Sequence, residues 1–131
     1  MDALTLRDTI IAALTHIDVD ITDGEPERGG DGRVRRTVIV GITTGTRGNR
    51  RAAGGSVDHD RAVNLLVVTA SRDSCLWLTE AVQDAVTDYP VARGARLADA
   101  SYDGEPIPEP GTSPARWSRA LTYYVTTKRR I

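Results

Sequence analysis

Residues 61–86 read RAVNLLVVTASRDSCLWLTEAVQDAV, and the apolar period changes partway through them. Over 61–69 the side chains alternate: Val63, Leu65 and Val67 fall on one face of a strand, Leu66 and Val68 on the other. A run apolar on both faces predicts a central strand covered on both sides. From Arg72 the spacing turns helical. Cys75, Leu78, Val82, Ala85, Val86 and Tyr89 make one stripe, so a helix is predicted over 72–88. Ser71 stands where an N-cap oxygen is wanted, and Pro90 ends the run. A strand running into an amphipathic helix predicts a strand-helix-strand crossover.

Working outward, the upstream segment repeats the two periods in reverse order. Leu6, Ile10, Ala13, Leu14 and Ile17 recur at three- and four-residue spacing, and Thr5-Leu6-Arg7-Asp8 has the form of a capping box. Ile17, Val19 and Ile21 then alternate with Asp18 and Asp20, which predicts a short half-buried strand. Residues 22–32, TDGEPERGGDG, carry too much Gly and Pro for regular structure. A strand is predicted over 34–44, with Val34, Val38, Val40 and Ile42 on one face and Arg36 as the exception. Residues 45–57, GTRGNRRAAGGSV, form a second Gly-rich loop whose four glycines in 45–55 favour mobility. Downstream come a weaker strand over 96–102 and a loop with four prolines over 103–114. In the last strand Trp117, Leu121, Tyr123 and Val125 share a face, with Arg119 as the exception. The fold class is therefore α/β (α+β): one domain over 1–131, a small mixed β-sheet with two helices packed on it.

Composition sets the bounds. A chain of 131 residues fits one domain and one modest core. Phe is absent and aromatics are 5%, so Val, Ile, Leu and Ala must build that core. Net charge is −1, which gives no global attraction to nucleic acid or anionic membrane. No apolar run approaches the roughly 20 residues that span a bilayer. The start Met1-Asp2-Ala3 lacks the basic and apolar regions of a secretory signal. The one cysteine, Cys75, forms no internal disulfide and no Cys-cluster zinc site, as in a reducing compartment.

The residues that invite chemistry each meet a plainer account. Asp58-His59-Asp60 resembles a metal cluster, but on a strand the carboxylates point one way and the imidazole the other. His16 ends the first helix, where a dipole contact or exposure explains it. Cys75 lies on an apolar stripe, which predicts a buried, inert thiol. The glycines at 45, 48, 54 and 55 match neither a phosphate-binding P-loop nor a dinucleotide fingerprint. No catalytic, cofactor or metal residue is assigned, and the chain reads as non-enzymatic.

Charge patterning says more. Residues 18–31 hold six acids (Asp18, Asp20, Asp23, Glu25, Glu27 and Asp31) against one base, Arg28. Residues 32–57 hold six arginines (Arg33, Arg35, Arg36, Arg47, Arg50 and Arg51) and no acid. Residues 99–109 carry four acids and no base. Such runs are either solvated loops or the two unlike surfaces of a heterologous interface, whose pairing opposite charge helps to set. The interface reading selects Arg47, Arg50, Arg51, Asp23, Glu25, Glu27 and Asp31.

Four segments, LTLRDTIIAALTHI, RRTVIVGITTGTRGNRR, RAVNLLVVTASRDSCLWLTEAVQDAV and WSRALTYYVTTKRR, come in an order that spans nearly the whole chain. In that order the chain resembles the tail terminator (tail completion) proteins of long-tailed bacterial viruses. The family has no invariant chemical motif, and the loop between Ile42 and His59 is longer and more basic than its pattern. The resemblance implies a structural virion subunit forming a homo-oligomeric ring, often of six subunits. Such a ring caps the tail tube and joins it to the head. It implies a tail tube protein and a head-completion protein as partners, no cofactor and no membrane. DNA would pass the lumen without specific binding. The implied location is the head-proximal end of the virion tail, after assembly in the host cytoplasm. A head-closure, connector or tail tube role is the alternative that shares this ring logic.

Overall fold

The computed structural model describes residues 3–44, 61–92, 95–101, 105–109, 111 and 114–127. Helix α1 is Ala3–Leu14, followed by strands β1 (Asp20–Thr22), β2 (Thr37–Thr44) and β3 (Arg61–Thr69). Helix α2 is Arg72–Val86, followed by β4 (Pro90–Ala92), β5 (Ala95–Ser101), β6 (Ile107–Pro108) and β7 (Trp117–Thr127). These make one α+β domain around a mixed sheet of order β1-β2-β3-β7-β5-β4, with β6 also paired to β7. Among the described residues only the β1/β2 pairing is parallel.

The 61–86 stretch folds much as its periods predict. β3 covers the predicted residues and lies between β2 and β7. Its Val63, Leu65 and Val67 are fully or almost fully buried. They face Ile42, Val40 and Val38 on one side, and Val63 and Leu65 face Tyr123 and Leu121 on the other. Both helices lay their stripes on this face: Leu6, Ile10 and Leu14 from α1, and Cys75, Leu78, Val82 and Val86 from α2. Burying each such Leu or Val favours folding by roughly 1.5–3 kcal/mol relative to exposure. With Phe absent, Tyr123 is the largest fully buried side chain, and its phenol lies 3.2 Å from the Thr87 hydroxyl.

The expectation that β3 is covered on both sides is corrected. α1 and α2 each have one apolar stripe, and both stripes are used on the Val63-Leu65-Val67 face. Among the described residues no helix lies on the opposite face. There Ile39 and Leu66 are half-buried, Thr43 and Ala120 exposed. Asn64 links Thr43 (3.4 Å) and Thr122 (3.3 Å) across three strands. Val68 is fully buried at the end of this face where Ser118 pairs with both Val68 and Ile107 of β6.

Other boundaries also differ. α1 begins at Ala3, so Thr5 sits inside the helix and is not its cap; its carbonyl accepts the Thr9 hydroxyl at 2.9 Å. The strand expected over 17–21 is only Asp20–Thr22, because Ile17 still closes the turn after α1, its N–H donating to Leu14 at 3.0 Å. β2 starts at Thr37, not 34. Val34 belongs instead to a small turn in which Gly29 N–H donates to the Arg33 carbonyl (2.8 Å) and Arg35 N–H to the Glu27 carbonyl (2.9 Å). At α2 the Ser71 hydroxyl accepts from Ser74 N–H at 3.2 Å, as a cap should. The helix stops at Val86, short of Pro90, with Asp88 in the left-handed region (φ 62°).

The crossover exists in split form. β3 and β5 both run antiparallel to β7, so they are parallel to each other with β7 inserted between them. α2 bridges them by way of the edge strand β4.

Candidate assembly interface

The acidic stretch and the arginines are brought together first within the subunit. The parallel β1/β2 register sets Asp20 opposite Thr37, beside Arg35 and Arg36. Arg35 then reaches Asp20 at 2.8 Å and Arg36 reaches Asp18 at 3.4 Å. Farther along, Asp23 meets Arg7 at 3.6 Å and Glu25 meets Arg116 at 3.5 Å. Four of the six acids in 18–31 thus face arginines of their own chain. The charge segregation seen along the sequence helps to fasten β1 and the following loop to the body. The last two are largely solvated on the acid side, with Asp23 72% and Glu25 85% exposed, so each contributes about 0.2–1 kcal/mol.

Of the residues selected for an interface, Asp23 and Glu25 are therefore engaged internally while still open to solvent. Glu27 and Asp31 are exposed and make no ion pair among the described residues. Asp31 instead accepts from Arg33 N–H at 3.0 Å, a local turn bond. Arg47, Arg50 and Arg51 lie outside the described residues, as do Asp58, His59 and Asp60 and the loop expected to be mobile. His16 is exposed, two residues past the end of α1. Among the described residues no group of three or more His, Cys, Asp or Glu is gathered as a metal site would be. No helix among them is long and apolar enough to cross a membrane.

Two features escape a reading of the sequence. Arg116 sits between two carboxylates, its guanidinium against Glu109 and reaching Glu25, with its side chain only 17% exposed. Glu109 N–H also donates to the Arg116 carbonyl at 2.9 Å, so the ion pair closes the β6–β7 hairpin. The first base after an acid-only segment is the available signal. The second feature is Trp77, 51% exposed on α2, with Arg36 stacked 5.5 Å from its ring. Beside it a cleft of about 160 Å³ is lined by Asp18, Val19, Asp20, Arg35 and Arg36.

Cys75 is buried and free, as its place on the helix stripe predicts. Burial pushes its thiol above the ordinary 9.0, against the hydrogen bonds of Thr79 and Thr69 and the charge of Arg119. Since the folded state holds this proton more tightly, stability falls as pH rises above the unfolded value. The expected consequence is alkylation of native Cys75 on the order of 100-fold slower than in denaturant at pH 8. Equal rates would place the thiol at the surface.

Comparison with protein-family models, with curated proteins and with solved structures returns no match.

Proposed function

We propose that the chain is a ring-forming structural subunit of a viral tail, which caps the tail tube and joins it to the head. The observation that supports this reading is the order of the elements. An N-terminal helix, a β2–β3 pair around the basic 45–60 stretch, the β3–α2 unit and a terminal strand are the four parts on which the resemblance to tail terminators rests. A subunit of this kind works by presenting unlike surfaces to its neighbours, and Glu27, Asp31 and the half-exposed Trp77 stand on accessible parts of the domain. The ring recruits a tube protein on one side and a head-completion protein on the other, with no cofactor and no chemical step.

The test is assembly of tails in infected cells with the chain absent. The reading expects overlong or headless tails, restored to normal length when the chain is supplied. Normal, head-joined tails in its absence would refute it.

A further inference from the structure

Among the described residues the sheet is left unfinished on both sides. β2 has eight residues, but β1 pairs only with Thr37, Val38 and Ile39. Past Ile39 no described strand lies on the outer side of β2. Asp20 N–H donates to the Arg36 carbonyl at 3.0 Å, which fixes the direction of the backbone groups. By strand alternation Val38, Val40, Ile42 and Thr44 present their N–H and C=O to this same outer side, where β1 takes the groups of Val38 and the N–H of Val40, while Ile39, Gly41 and Thr43 turn theirs to β3. The N–H of Ile42 therefore points away from the sheet. Such an edge is a template for another strand unless it is covered.

A cleft of about 220 Å³ lies beside that edge, lined by Arg7, Ile11, Ile21, Thr22, Asp23 and Val40. Its Ile11, Ile21 and Val40 give an incoming strand an apolar seat. The Arg7–Asp23 pair at the same place joins two charged groups that stay solvent-accessible.

The opposite side of the sheet is short in the same way. β4 pairs with Arg96 and Ala95, and Leu97 exchanges hydrogen bonds with Asp88 (2.9 Å) and Tyr89 (3.1 Å). Beyond Leu97, β5 continues to Ser101 with no described strand outside it. Among the described residues, then, two edges stand open on opposite sides of a single sheet. Each edge presents both N–H and C=O groups, so the two can pair with one another. Two such edges make a head-to-tail contact between identical copies, the kind that closes into a ring when the rotation allows.

We infer that the outer edge of β2 at residues 40–44 pairs with the outer edge of β5, beyond Leu97, in a second copy of this chain, so that the sheet runs on from subunit to subunit. The inference rests on the assembly reading above and names the surface that carries it. Main-chain hydrogen bonds supply the join, while the Ile42 side chain packs onto its own subunit's core.

The experiment compares Ile42→Pro with Ile42→Ala in the full chain, by native mass spectrometry and by hydrogen exchange over a range of protein concentrations. Both variants lose the isoleucine packing, but only proline removes the outward N–H, at an edge position where proline is tolerated. Ile42→Ala is expected to assemble as the unsubstituted chain does. Ile42→Pro is expected to raise the dissociation constant about tenfold or more while unfolding at nearly the temperature of Ile42→Ala. In the assembled, unsubstituted chain the amides of Ile42, Thr44 and Asp99 gain protection that is lost on dilution. A ring that persists in Ile42→Pro overturns this join and leaves the ring reading intact. Assembly without protection at Asp99 overturns the β5 half of the contact. An open, length-variable oligomer that dissolves in Ile42→Pro supports the join and counts against the closed ring. A monomer at every concentration defeats both.

Discussion

Replacing Leu121 by alanine is expected to lower the free energy of unfolding by about 3–4 kcal/mol, a large loss for one truncated side chain. Leu121 is 1% exposed and lies on β7 opposite Leu65. β7 is the strand on which β3, β5 and β6 all pair, so little can close around a void at its centre. The lost transfer energy and the remaining cavity then add. Against a total stability of about 5–15 kcal/mol for a domain of this size, a large share is removed. Leu4→Ala is the control: Leu4 is 66% exposed, and its loss should shift the urea midpoint little. Equal midpoints for the two variants would mean that the core is not centred on β7.

The second large effect is at Arg116. Arg116→Ala is expected to cost about 2–3 kcal/mol, since it leaves the carboxylate of Glu109, itself only 25% exposed, without that partner. Removing Glu25 should cost well under 1 kcal/mol, because that carboxylate is 85% exposed. Double-mutant cycles separate the two. Coupling between Arg116 and Glu109 should exceed about 1 kcal/mol, and coupling between Arg116 and Glu25 should fall below about 0.5 kcal/mol. The reverse order would show that the loop after β1, not the β6–β7 hairpin, is what Arg116 secures.

Where hydrophobic periodicity is strong, the fold is legible in the sequence. The stripes of α1 and α2 and the alternation of β3 and β7 each name side chains that are buried, and Ser71 caps as its chemistry suggests. What stays hidden has local causes. β4 and β6 are two or three residues long and contain proline, too short to carry a period. The 61–69 run is apolar on both sides, yet nothing in it reports that both helices choose the same face. Thr5 and Asp8 have the spacing of a cap, but a cap signature inside a helix that starts earlier looks the same on paper.

The candidate interface is legible only as charge. Alternating blocks of acid and base give no partner assignment, and the parallel β1/β2 register turns much of that charge inward on the same chain. Backbone edges leave no mark in composition at all. The uncovered part of β2 emerges only once the three residues of β1 are set against the eight of β2.

The assembly reading meets its most direct test in the mass of the native particle at high protein concentration and low salt. One closed ring of a single copy number is expected. Added salt should weaken it only modestly, because exposed ion pairs contribute little beside backbone and apolar contacts. A monomer under those conditions would contradict it.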